Sequence, residues 1–241
     1  MNQSNYMNKM KYKLLTLVMT LSSFALFQNS VLAQAASAPV MSTPPATQEE
    51  MDALYENVLD DRVLKIVEAL ALTDSAVSNH VRGILIDHYH ALRARDEAID
   101  DELSDIPKGS DQWLSQRDAM VTVMSPPLHD RFLARLAKYL TPQQIEVIKD
   151  KMTYGKVKFT YDAYCMIVPG LNDADKAKIM DLLKQAREVA IDGGNASEKS
   201  AIFQKYKDRI NTYLATQGVD VEKALKEWSE KHPDTNSPVG K

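Results

Sequence analysis

With a single cysteine, Cys165, the 241-residue chain cannot build an internal disulfide framework. No charged neighbour in sequence activates this thiol. Flanked by Tyr164 and Met166, it reads as a small packed hydrophobe, with a reactive thiol as the alternative. Glycine is scarce, with 8 residues, and no glycine-rich phosphate loop, nucleophile elbow or H-E-x-x-H zinc motif occurs. Positive charge is not in excess: 29 Lys and Arg stand against 33 Asp and Glu. That balance lacks the basic footprint of a nucleic-acid binder and gives no electrostatic grip on anionic lipid. No pair of carboxylates is set apart by its surroundings, so a glycosidase dyad has no sequence support. Nothing in the motifs requires a cofactor or a metal.

What is present begins with an address. Lys9, Lys11 and Lys13 form a positive n-region, Leu14 to Phe27 is apolar with four hydroxyl residues, and Val31-Leu32-Ala33 fits a cleavage site. Residues 1–33 are therefore expected to be a secretory signal peptide, with the run too short and hydroxylated to span a bilayer comfortably. Those residues hold three lysines and no acid. Their removal leaves 26 basic against 33 acidic residues, a net of −7. No lipobox cysteine follows, so the mature protein is expected in the periplasm or secreted, free of a membrane anchor. Residues 34–46 are rich in Ala, Ser and Pro and read as a flexible leader, and residues 233–241 as a polar tail.

Between them, residues 47–232 carry helical periodicity and repeated start signals. Thr47 with Glu50 forms a capping box, Asp74 starts a long helix, Pro126-Pro127 opens another and Thr141-Pro142 a fourth. Asn172 starts the next, which Gly193-Gly194 ends. Ser197 with Ser200 to Leu214 makes the sixth, stopped by Gly218, and Val221, Leu225 and Trp228 mark a last one. The fold class is all-α, a single domain of about seven helices. One irregular, tyrosine-rich insertion is expected around 153–170, where Lys156 to Thr160 alternates like a strand with no partner. Leu72-Thr-Asp, Leu140-Thr-Pro and Leu171-Asn-Asp repeat weakly. Ordinary capped amphipathic helices explain this, and so would duplication of a helical unit.

Three regions could carry chemistry. In Asp87-His88-Tyr89-His90 the two histidines are two apart and face different ways on a helix, which argues against a metal site. Leu85, Tyr89, Leu92, Asp96, Ile99 and Leu103 share one stripe, and Asp96 is its one acid. A carboxylate there needs a cation. A structural ion pair with Arg209 is the first choice, and a ligand-contacting or catalytic carboxylate is the alternative. Tyr154, Tyr161 and Tyr164 cluster within eleven residues. With Tyr206, Arg209 and Asn211 they form the expected ligand-binding set, since tyrosines offer a face for sugar C–H groups and a polar tip. The alternative for each ring is simple core packing.

Segments 72–96, 140–155, 161–179 and 198–220 together resemble a bacterial family, domain of unknown function 3826. The resemblance implies sugar binding, export and a setting beside polysaccharide-degrading enzymes. It carries over no catalytic residue. Leu140-Thr141-Pro142-Gln143-Gln144 is also similar to the LTxxQ motif of small periplasmic stress chaperones. Three readings therefore stand: saccharide binding in polysaccharide utilisation, a helical chaperone or interaction module, and an unrecognised carbohydrate-active enzyme. Oligomeric state is left open. The exported form should begin near Gln34 and stay in solution without detergent. Intact-mass measurement checks this, and a mature chain retaining Leu14 to Phe27 would refute it.

Overall fold

The structure, a computed structural model, describes residues 47–232. The expected signal peptide, leader and polar tail lie outside the described residues. Among the described residues 80% are helical and none forms a strand. The eight helices are α1 (Gln48–Glu68), α2 (Ser75–Glu102), α3 (Asp111–Leu136), α4 (Pro142–Met152), α5 (Lys156–Ile167), α6 (Asp173–Ala190), α7 (Ala196–Thr216) and α8 (Val221–Lys231). Contacts group residues 55–221 into one unit, while the start of α1 and nearly all of α8 belong to another.

Most start signals act as the sequence predicts. Thr47 and Glu50 exchange side-chain-to-backbone bonds of 3.2 and 2.8 Å. Asp74 accepts from the amides of Ala76 and Val77 at the head of α2. Asn172 and Asp175 form a complete capping box on α6, and Thr141 and Gln144 form one on α4 with Pro142 at its first position. In this chain the residues of the LTxxQ resemblance are thus a helix-starting device, with Leu140 buried beneath it. The seventh helix is capped by Asn195 rather than Ser197, its side chain accepting from the Glu198 amide.

Two expectations fail. Pro126 and Pro127 lie inside α3, which starts fifteen residues before Pro126, behind the Ser110 cap. Proline removes an amide donor and crowds the preceding turn. Here both prolines lie on exposed positions, where water serves the carbonyls they leave unpaired. The tyrosine-rich segment is not an irregular insertion either. Lys156–Ile167 is helix α5, entered through Tyr154 and Gly155, both with positive φ (59° and 65°). That left-handed pair ends α4 and starts α5 at once, so the strand-like alternation of Lys156–Thr160 is overridden by packing.

The main core joins four helices. Leu59, Val63 and Ile66 of α1 meet Val81, Leu85 and Tyr89 of α2, Phe132 and Leu136 of α3, and Ile148 and Met152 of α4. A second cluster, Ile99, Leu103 and Trp113, closes the far end of the α2–α3 hairpin. The α6–α7 hairpin buries Ile179, Leu183, Phe203, Ile210 and Leu214, and α4 and α5 both pack on α6. In α8, Val221, Leu225 and Trp228 follow one another at helical spacing, and the Trp228 ring stacks on His232 with centroids 4.5 Å apart.

Burial at Ile179 should outweigh the cap that starts its helix. Ile179→Ala is expected to cost about 2–5 kcal/mol, against about 1 kcal/mol for Asn172→Ala. Urea unfolding followed by circular dichroism measures both, and the reverse order would contradict this packing.

Candidate functional site

Charged residues converge where the loop between α6 and α7 meets α2 and α3. Arg95 of α2 is only 3% exposed. Its guanidinium donates to Asp96 Oδ1 at 2.8 and 3.1 Å, to Ser125 Oγ at 2.8 Å and to the Asp192 carbonyl at 2.9 Å. Arg117 of α3 donates to the same Asp96 oxygen at 3.3 Å and to Glu198 Oε1 at 2.6 Å. The other Glu198 oxygen accepts from the Gly194 amide at 2.9 Å. Burial pushes the Asp96 pKa up, against the pull of Arg95 and Arg117. The loop can come this close only because of its glycines. A Cβ on Gly194 would stand 2.0 Å from Asp96 Oδ2, and one on Gly193 would press on Lys199 Cγ.

Beside this knot, Asp192 is held between two histidines. His129 Nδ1 lies 2.8 Å from Asp192 Oδ2, and His88 Nε2 lies 3.4 Å from Oδ1. His88 stacks on Phe132 with ring centroids 3.9 Å apart. Burial lowers the His88 pKa, whereas the Asp192 contact raises that of His129. Burial alone would raise the Asp192 pKa, but the two histidines overcome it and hold it down. Lys199, 1% exposed, donates to the carbonyls of Ala190 and Ile191 at the end of α6, and burial pulls its pKa down to about 8.

In front of the knot lies a cleft of about 180 Å³. Tyr55 and Arg62 of α1 form one side, Tyr89, Arg93, Asp96, Glu97 and Asp100 of α2 another, and Gly194 and Asn195 the end. Tyr55 donates to the Tyr89 carbonyl at 3.4 Å, and Arg93 lies over its ring at 4.5 Å. The Tyr89 hydroxyl is buried and has no hydrogen-bond partner. Burial pushes its pKa up to about 12, and nearby Arg62 is the strongest opposing influence. Two larger depressions, one by Trp113 and one by His80 and Tyr139, are more open and contain no such unsatisfied group.

The residues singled out from the sequence are distributed differently. Asp96 is on the expected stripe, between buried Leu92 and Ile99, but its cations are Arg95 and Arg117. The anticipated Asp96–Arg209 pair does not form. Arg209 is on an exposed face of α7, with its guanidinium 4.6 Å from the Tyr206 ring centroid. Tyr164 and Asn211 do meet: the tyrosine hydroxyl donates to Asn211 Oδ1 at 2.7 Å and ties α5 to α7. Tyr161 is half-buried on α5, and Tyr154 is half-exposed at the α4–α5 junction. None of these six residues lines the cleft. His88 and His90 diverge as their spacing requires, toward Asp192 and Glu56. Of the cleft residues the sequence singles out Asp96 and places Tyr89 on its stripe, and the others carry one signal. Tyr89, Arg93, Asp96 and Asp100 recur at helical spacing, as do Tyr55 and Arg62 seven apart.

Residues 56–233 match the family described as "Protein of unknown function (DUF3826)". The chain belongs to this family. No curated protein matches it. The part of the chain shared with the family holds the whole ion network and every cleft residue except Tyr55.

The Asp192 cluster makes opposite demands on pH. His129, with its raised pKa, contributes stability below the ordinary histidine value and loses it as pH rises through the folded value. His88, with a lowered pKa, contributes above the ordinary value and loses it as pH falls. Asp192 likewise contributes above the usual carboxylate range and loses it in stronger acid. Asp192→Asn should cost about 3–5 kcal/mol at neutral pH and lower the His129 pKa. Proton NMR titration of the histidine ring reads this, and an unmoved His129 titration would break the assignment.

Proposed function

We propose that the chain is an exported, saccharide-binding member of its family that serves polysaccharide utilisation. The observation that carries this reading is the cleft. Two tyrosines, two arginines, a side-chain amide and a glycine backbone converge on one small recess, and its rear wall is fixed by a saturated ion network. The half-buried Tyr55 ring gives the C–H face of a pyranose an edge to stack on, Tyr89 lies in the core behind it, and the polar groups address the sugar hydroxyls. At about 180 Å³ the recess is smaller than the usual pocket for a drug-sized ligand, roughly 300–1,000 Å³. One terminal sugar ring suits it better than a long oligosaccharide. The signal peptide expected from residues 1–33, and the acidic chain its removal would leave, fit a protein that works outside the cytoplasm. Each carboxylate of the cleft is tied to a cation, which favours binding over proton transfer.

Calorimetric titration of the mature chain with plant and host glycan fragments tests the reading, with hydrolysis products followed in the same samples. Binding without hydrolysis is the expected result. Tyr55→Ala should weaken binding about tenfold, the scale of one lost aromatic contact, and because the ring also packs on the main core the affinity is compared at a temperature where circular dichroism shows the variant folded. Absence of binding across the panel, or an unaltered affinity in Tyr55→Ala, would count against it. Released sugar would make the protein an enzyme instead.

A further inference from the structure

The charges around the cleft do not cancel evenly. Asp96 is held by Arg95 and Arg117, Glu97 by Arg93 at 2.7 Å, and Asp100 by Lys108 at 2.7 Å. Every carboxylate lining the recess is therefore already partnered. Arg62 is the exception on the positive side. Among the described residues no carboxylate lies within ion-pair distance of it, and its guanidinium is over the Tyr89 ring, 5.4 Å from the centroid. The Tyr89 hydroxyl close to the same guanidinium is buried and finds no acceptor for its proton. A half-buried guanidinium with no counter-ion and a donor with no acceptor, side by side, make a pair of vacancies that one anion fills.

We propose that the cleft selects a sugar bearing a single carboxylate, a uronate, whose carboxylate pairs with Arg62 and takes the Tyr89 hydroxyl as its second donor. This rests on the saccharide reading above and narrows it. The guanidinium fork matches a carboxylate in plane. The Tyr89 hydroxyl lies below the surface, so Arg62 must swing off the ring toward the anion for both donors to reach it. One free cation balances one negative charge, and the paired Asp96, Glu97 and Asp100 close by disfavour a doubly charged group. Tyr55 and the Asn195 amide remain to contact the rest of the ring.

The test titrates the mature chain with matched single-ring ligands: methyl galacturonate glycoside, methyl galactoside and its monosulfate. The proposal expects the uronate to bind at least about tenfold more tightly than either. It also expects Arg62→Gln to remove that preference while the melting temperature stays close to that of the parent. Tyr89→Phe should weaken the uronate several-fold and leave the galactose arm unchanged. Equal binding of uronate and neutral sugar overturns the carboxylate assignment and leaves saccharide binding standing. Preference for the sulfated ligand overturns it in favour of a sulfate site. Failure of all three sugars to bind overturns both readings. If Arg62→Gln unfolds, Arg62→Lys serves in its place: it keeps the charge but not the fork, and unchanged uronate affinity would overturn the bidentate contact.

Discussion

Arg95 places a guanidinium where almost no water reaches, and the rest of the arrangement follows from satisfying it. Burying such a cation is costly unless its donors find acceptors of the right geometry. Here the acceptors come from its sequence neighbour Asp96, from Ser125 on α3 and from the Asp192 carbonyl at the end of α6. One side chain thus ties α2 to α3 and to the hairpin made by α6 and α7. Asp96, drawn into the same contact, needs a second cation and recruits Arg117, which in turn holds Glu198 at the head of α7. The carboxylate of Glu198 then fixes the Gly194 amide. The front of this chain of contacts is the floor of the cleft.

Such a floor is rigid by construction. Each charged member has at least two partners, so removing any one leaves a partly buried charge or an open donor on the others. Networks of this kind respond to substitution as a unit. The contrast with the cleft's front edge is physical as well as spatial. Tyr55 and Arg62 sit on α1 and are held by ring contacts rather than by ion pairs, and their positions can adjust to a ligand at little cost.

How much of this the sequence disclosed depends on the distance over which the interaction acts. Thr47, Asp74, Thr141 and Asn172 cap helices within four residues of themselves, and each was readable. The stripe from Leu85 to Leu103 was readable for the same reason, since burial repeats with the helical turn. Asp96 was correctly placed on it, yet its partners could not be deduced. Arg117 and Arg209 are chemically alike, and only the packing of α3 against α2 brings the former near. Tyr154, Tyr161 and Tyr164 drew notice because they are close in sequence, but Tyr154 lies in the turn before α5 while Tyr164, on α5, points into the bundle to meet Asn211. The cleft escaped because its walls come from residues 55–62, 89–100 and 194–195. Gly193-Gly194 was read as a helix stop, and it is also the close approach that lets the loop sit on Asp96. Pro126-Pro127 misled because exposure decides whether a proline starts a helix or is merely tolerated in one.

Lys199 is an amine enclosed among backbone carbonyls, and it adds a pH-dependent contribution to stability on the alkaline side. Its folded pKa of about 8 is below the ordinary value of 10.5 that the unfolded chain retains. Between those two values the folded form has released this proton while the unfolded form still binds it. Linkage then requires this residue's contribution to stability to rise with pH across that interval and to be unfavourable below it. The neutral amine keeps N–H groups for the carbonyls of Ala190 and Ile191, so the end of α6 loses no donor when the charge leaves. In mildly basic surroundings the interior of this protein is therefore relieved of a burden that it carries at neutrality.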